Sequence, residues 1–191
     1  QVVDAAMLEA IGRAQSFVSL ETYIFLSDSM GWRFAEAMAE RAAAGVEVRF
    51  IYDAIGAIWT DPIIFDYLRD CGVRVLEYRP IKPWRPGFGI NRRDHRKILV
   101  IDGVQGFLGG LNISNHYVSH EAGGGGWRDT HVSIEGPAVR EIQKLFLGVW
   151  KKEKNARIRV NDYLPFPDQR GEALIAILGN REFKNRRTIR K

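Results

Sequence analysis

Among 191 residues there is one cysteine, Cys71, which excludes an internal disulfide and any cysteine-based metal cluster. It lies in DCGV, where a small buried side chain at a helix end accounts for it. No apolar run approaches the roughly 20 residues a membrane-spanning helix needs, and nothing reads as a secretory leader. Residue 1 is Gln rather than Met, so targeting or anchoring sequence upstream is compatible with this chain. An acidic cluster of the kind that holds magnesium is also missing. His116 and His120 are four apart and would share zinc only on a helix with a third ligand, and none follows at suitable spacing. Neither a metal nor another cofactor is therefore expected. What remains is 46% hydrophobic and 27% charged, ordinary usage for a chain able to bury one sizeable core. A formal charge of +5 favours an anionic partner without separating nucleic acid from an anionic membrane.

Helical and extended patterns alternate along the first eighty residues. Asp4 to Ala14 predicts a helix with an apolar face at Ala6, Met7, Ala10, Ile11 and Ala14. Phe17 to Phe25 alternates as a strand, and in it Glu21 shares a face with Phe17, Tyr23 and Phe25, where a carboxylate needs a partner. A structural salt bridge or an exposed edge would satisfy it. Helix Gly31 to Ala44 closes at Gly45, strand Val46 to Tyr52 ends at Asp53, and helix Pro62 to Asp70 precedes strand Val73 to Tyr78. This rhythm predicts an α/β fold with a central mixed, largely parallel sheet and helices on both faces. Strand Trp127 to Ile134, with Asp129 and His131 on one face, and the amphipathic helix Pro137 to Lys152 complete it. Gly123 to Gly126 reads as a flexible turn or a lid.

The stretch Asp94 to Asn112, DHRKILVIDGVQGFLGGLN, is the densest in chemistry. Ile98 to Ile101 predicts a short buried strand, so His95 and Lys97, two apart, point the same way at its entrance. Asp102-Gly103 is a two-residue hairpin signal that returns the chain as Val104 to Leu108. Gly109 and Gly110 would bring backbone N–H groups close to an anion, with Asn112 adding a side-chain amide. Each residue has a plainer role available: a polar strand end for His95, a snorkelling Lys97, a capping Asn112. Their coincidence at this spacing is what argues for a site.

These residues resemble a family. H-x-K-x4-D-x6-G-G-x-N is the signature of the phospholipase D superfamily, and NRRDHRK, GGLNIS, WRDTHVSIEGPAV and LETYIF are similar to its bacterial cardiolipin synthase branch. The resemblance implies a phosphatidyltransferase that acts on phosphatidylglycerol through a phosphohistidine. It makes Asp129 the acceptor that orients the nucleophilic histidine and places Glu21 near the cleft. It also implies a second half with its own motif, in the same parent chain or a homodimer mate. On that basis residues 1–153 form the catalytic half, 154–170 a linker, and 171–191 the first elements of the next half, beginning with a short strand at Glu172 to Leu178.

A phosphodiester demands a nucleophile, neutralisation of its non-bridging oxygens and a proton for the leaving oxygen. Neutral His95 can be the first, and Lys97, Asn112 and glycine N–H groups the second. Asp102, at a hairpin, reads as support. In the loop Pro80 to Gly89, Lys82, Trp84, Arg85 and Phe88 interleave cations with rings. That composition suits an anionic phospholipid surface, single-stranded nucleic acid, or packing on the domain. The lipid contexts favour the first, which makes nucleic acid an unlikely partner and predicts a peripheral protein at the cytoplasmic face of a bacterial inner membrane. The alternatives are a phospholipase D-like phosphodiesterase or nuclease active as a homodimer, and a catalytically incomplete binding half.

Overall fold

The computed structural model describes residues 2–81, 93–154 and 158–179. Its elements run α1 (Val2–Arg13), β1 (Phe17–Thr22), α2 (Ser29–Ala43), β2 (Glu47–Asp53), α3 (Ile63–Asp70), β3 (Arg74–Tyr78), β4 (Ile98–Ile101), β5 (Gln105–Gly109), β6 (His131–Glu135) and α4 (Ala138–Lys154). The strands form one sheet in the order β3-β2-β1-β4-β5-β6. The first three pair in parallel, as helix-linked strands do, and β4, β5 and β6 continue antiparallel. The sheet is mixed, as expected. Its antiparallel part is the larger, because β6 returns beside β5 rather than joining the parallel edge.

Period-two alternation assigns the two faces. Val18, Leu20, Val48, Phe50, Leu99 and Phe107 point to a core shared with Met7, Ile11, Phe34, Met38, Ile64 and Leu68 of α1, α2 and α3. Phe17, Ile98, Val100 and Ile134 point the other way, onto Val139 and Ile142 of α4. The residues between them in sequence, Ser19 and Arg49, carry polar groups into this second layer. There Ser19 Oγ accepts from Gln143 Nε2 at 3.2 Å, and Arg49 donates to Glu47 at 2.6 Å and to the Tyr163 hydroxyl at 2.9 Å. Tyr163 belongs to the stretch expected to be a linker. It also meets Phe17 edge-on at 5.3 Å, and its neighbour Leu164 is buried.

Four local expectations differ from the fold. Strand β1 ends at Thr22, where the Thr22 hydroxyl donates to Ile24 O at 3.0 Å. The alternation therefore breaks, and Phe25 enters the α1–α3 core instead of sharing the face of Glu21. The hairpin turn takes three residues, 102 to 104, with both Asp102 and Gly103 at positive φ and Val104 N bonded to Ile101 O. Strand β6 starts at His131 rather than Trp127, because the N–H groups of residues 124 to 127 are committed to carbonyls at 115, 116, 118 and 119. This bonding makes the glycine run a fastened turn rather than a lid. Residues 173 to 179 form no strand: Leu174 is fully exposed and only Ile177 leans on the α4 layer.

Candidate active site

Antiparallel pairing of β4 to β1 and of β5 to β4 brings distant segments to one end of the sheet. The ends of β1, β2 and β5 meet the beginnings of β4 and β6 there. This brings Tyr23, Asp53, Asp94 to Lys97, Gly109 to Asn112 and Asp129 to His131 to the same end of the sheet.

His95 and Lys97 converge as the strand alternation requires. Lys97 Nζ lies 3.1 Å from His95 Nδ1 and donates to His95 O at 2.8 Å. The imidazole is exposed while Lys97 is buried. Tyr23 backs both, its ring centroid 4.5 Å from the imidazole and 5.4 Å from Nζ. Burial pushes the Lys97 ammonium down to about 8, against the pull of Asp129 and Asp94. Burial and the Lys97 charge also lower His95, so the imidazole is neutral near pH 7. The neutral ring has two tautomers. An ammonium donating to Nδ1 leaves the ring proton on Nε2, whereas an Nδ1–H ring leaves Nε2 with a free lone pair.

Behind this pair lies Arg96, on the opposite face by parity. Its guanidinium grips Asp94 through Nε at 2.9 Å and Nη2 at 2.6 Å, and forms an ion pair with Glu21 at 2.8 Å. Glu21 is 1% exposed and faces the α4 layer. It is therefore the structural ion pair and not a cleft residue, because the parity that puts His95 and Lys97 on one side puts Glu21 on the other. Burial raises the Glu21 carboxyl well above its ordinary value, the adjoining Asp94 raises it further, and Arg96 only partly opposes them. Asp94 is buried too, but Arg96 holds it below the usual carboxylate range. Asp53, fully buried at the end of β2, accepts from Ile55 and Gly56 N–H at 2.9 and 3.2 Å and from Asp94 N–H at 3.1 Å. It ties the segment leading into His95 to the loop after β2. Sequence reading saw Asp53 only as a strand terminus, since its partner lies 41 residues away.

The glycine pair works differently from expectation. The Gly110 N–H donates to Thr130 O at 2.9 Å, so it is not an anion donor. A Cβ on Gly109 would stand 2.3 Å from Thr130 O and 2.9 Å from His131 Cγ, and one on Gly110 would stand 2.1 Å from the Asp129 carboxylate. The glycines let residues 129 to 131 close down on the loop. Asp129 is consequently brought to the site beside Lys97, but no Asp129 contact orients His95, whose Nδ1 faces Lys97 instead. Asn112 is buried, its Oδ1 accepting from Ile24 N–H at 3.0 Å and its Nδ2 donating to the Tyr117 hydroxyl at 2.7 Å.

Asp102 is elsewhere. Five residues beyond Lys97 along a strand, about 16 Å, its carboxylate accepts N–H bonds from Gln15, Ser16 and Phe17 at 2.8 to 2.9 Å. It fastens the hairpin to the connection between α1 and β1, and is not a catalytic group. Trp84 and Arg85 lie outside the described residues. His116 and His120 fall in two separate short turns, and no cluster of three or more His, Cys, Asp or Glu side chains fit to hold a metal occurs among the described residues.

With this geometry in place, similarity to known proteins can be weighed. The cardiolipin synthase of Alkalihalophilus pseudofirmus is 40% identical over 160 residues, which is 84% of this chain and 32% of that protein. The chain thus spans about a third of the length of the curated relatives it matches. Among solved structures, a phospholipase D family member, Nuc from Salmonella typhimurium, superposes with a TM-score of 0.55 at 18% identity, covering 79% of this chain and 86% of that one. Phosphatidylserine synthase from Haemophilus influenzae gives a TM-score of 0.59 at 16% identity, covering 85% of this chain and 39% of that one. At such identities the structures establish a shared fold. A family model described as cardiolipin synthase, PLD-like domain, matches residues 7–150, and the chain belongs to that family.

Proposed function

We propose that this chain is one catalytic half of a phosphatidyltransferase of cardiolipin-synthase type. The observation that carries the reading is the exposed, neutral His95 whose Nδ1 lies 3.1 Å from the buried Lys97 ammonium, together with 40% identity to a cardiolipin synthase. Once Lys97 turns from Nδ1 to the phosphate oxygens, the ring carries its proton on Nδ1 and His95 Nε2 attacks the phosphorus of one phosphatidylglycerol. The bond to the headgroup oxygen breaks, glycerol leaves with a proton from an acid on the opposite side of the cleft, and a phosphatidyl-histidine remains. A hydroxyl of a second phosphatidylglycerol then attacks the phosphorus, its proton passes to the conjugate base of that acid, and the phosphorus–nitrogen bond breaks to free the imidazole. Lys97 and the second N–H of Asn112 neutralise the non-bridging oxygens. The opposing acid comes from a second half with its own motif, in the same parent chain or in a homodimer mate, and residues 171–191 begin such a half.

The lipid partner is further supported by exposed Ile58, Trp59 and Ile63, on and just after the loop that Asp53 fastens to the His95 segment. Exposed indole and aliphatic groups with a net positive chain suit a peripheral position on anionic lipid, here the cytoplasmic face of a bacterial inner membrane. Among the described residues no helix is long and apolar enough to cross a membrane.

The test is to mix the protein at its full natural length with phosphatidylglycerol, quench without acid and map adducts by mass spectrometry. A phosphatidyl group on the peptide holding His95, lost in His95→Ala, with glycerol released and cardiolipin formed, is the expected result. Unchanged transfer by a folded His95→Ala protein would overturn the assignment. Hydrolysis without transfer would replace it with a phosphodiesterase.

A further inference from the structure

His131 opens β6 opposite Gly109, and this register turns its side chain to the face that carries Lys97. The imidazole occupies the space a side chain on Gly109 would need, just as the Asp129 carboxylate occupies that of Gly110. The double glycine is therefore a cradle for an Asp129 and His131 pair. Both ring nitrogens of His131 are buried, and neither has a hydrogen-bond partner. Packing alone does not account for a buried imidazole with two unused polar atoms, since an apolar ring would fill the space without the desolvation cost.

The charged groups that bear on this ring are Asp129, two residues before it, and Lys97, from the entrance to β4. Lys97 in turn feels Asp129 and Asp94 and touches His95. Burial takes the His131 imidazole down to about 4, with Lys97 lowering it further and Asp129 opposing, so it is neutral throughout the physiological range. A neutral imidazole offers one acceptor and one donor on a rigid ring. An ammonium can only donate and a carboxylate can only accept.

We propose that His131 is a positioning residue that bridges Lys97 and Asp129, one ring nitrogen accepting from the Lys97 ammonium and the other donating to the Asp129 carboxylate. This deepens the function proposed above and rests on Lys97 being its phosphate-binding cation. Lys97 spends N–H bonds on His95 Nδ1 and His95 O, which holds the ring proton on Nε2 and blocks attack. An incoming phosphate draws Lys97 toward its oxygens, and His131 supplies the partner that the ammonium takes up on leaving Nδ1. His95 is then free to carry its proton on Nδ1 and present Nε2.

The experiment follows the Lys97 ammonium by NMR in ¹³Cε-lysine-labelled protein and measures inorganic phosphate affinity, in the wild type, His131→Phe and His131→Gln. Phe keeps the volume and loses both polar atoms, whereas Gln keeps a donor and an acceptor. With phosphate bound, the Lys97 pKa in His131→Phe should lie about one unit below that of the wild type, tenfold in its dissociation constant, and phosphate affinity near pH 7.5 should drop several-fold. His131→Gln should restore both. A folded His131→Phe protein with wild-type values for both would show that the ring only fills space and would overturn the proposal. Should His131→Phe fail to fold, the ring ¹⁵N shifts of wild-type His131 decide: phosphate must turn one nitrogen into a hydrogen-bond acceptor while the other keeps its proton, and unmoved shifts overturn the bridge. None of these readouts uses turnover, so they stand or fall separately from the detection of a phosphatidyl adduct on His95.

Discussion

At one end of β4 the Asp102 carboxylate accepts three backbone N–H bonds from residues 15 to 17, while at the other end Lys97 is buried and donates its hydrogen bonds to neutral atoms of His95. Both residues belong to one sequence motif. The hairpin end is saturated: each strong acceptor has donors at ordinary distances, and the result is a fixed turn. The cleft end is undersaturated. Lys97 is held below its usual basicity by burial, and His131 keeps two buried nitrogens unpaired. Groups left without full partners cost stability, and they persist where a ligand is to complete them. The contrast separates residues that hold the fold from residues held ready by it.

The sharpest way to break that comparison is to remove one side chain from each end. His95→Ala in the full-length protein should lower phosphatidyl transfer by about 1,000-fold or more, some 4 kcal/mol of transition-state stabilisation, with an unchanged urea midpoint. Transfer within tenfold of wild type would move the nucleophile elsewhere. Asp102→Ala should do the reverse. Losing a charged acceptor for three backbone donors should cost about 2 to 4 kcal/mol of stability, discounted from the full value because the turn is partly exposed. Activity per folded molecule should stay within a few-fold. A loss of activity in a well-folded Asp102→Ala protein would join the two ends functionally.

Proton linkage sharpens the same contrast with a smaller effect. Phosphate binding should be flat below pH 7 and weaken as pH rises through about 8, approaching tenfold per unit, because the Lys97 ammonium is lost there. Calorimetric titration from pH 6 to 9.5 would show it. A flat profile to pH 9.5 would mean that Lys97 does not hold the phosphate.

The smallest effect belongs to Glu21. Its folded-state pKa is raised well above the ordinary value of 4.5, so the stability gained by keeping its proton is present below about pH 4.5 and is lost as pH rises through the raised value. Glu21→Gln keeps the shape without the titration. It should match the wild type at pH 4 and exceed it at neutral pH, on the order of 1 kcal/mol. Equal stability at both values would mean that Arg96 offsets the whole cost of burying the Glu21 carboxylate.

Much of this was legible because it is written over short distances. The strand at Ile98 to Ile101, the positive-φ turn at Asp102-Gly103 and the convergence of His95 with Lys97 follow from local alternation and turn chemistry. For Glu21 a structural salt bridge, an exposed edge and a place near the cleft all stayed open, because its side depends on counting parity along a strand that ends at Thr22, and its partner Arg96 is 75 residues away. The glycine pair was misread for a related reason. Small residues announce close approach but not what approaches, and only the pairing of Gly109 with His131 shows that it is a strand.

By itself, then, the sequence determined the helices and the core of most strands, the faces of β4 and the presence of an imidazole beside an ammonium, since periods of two and 3.6 residues are set by backbone geometry within a few neighbours. Tertiary structure alone decided which charges are satisfied. Asp102 finds its donors 85 to 87 residues away, Asp53 reaches Asp94 across the sheet, and His131 comes to Lys97 only because β6 pairs with β5. Burial and partner choice are properties of the packed sheet, and they settle which of these polar groups hold the fold and which are left without full partners.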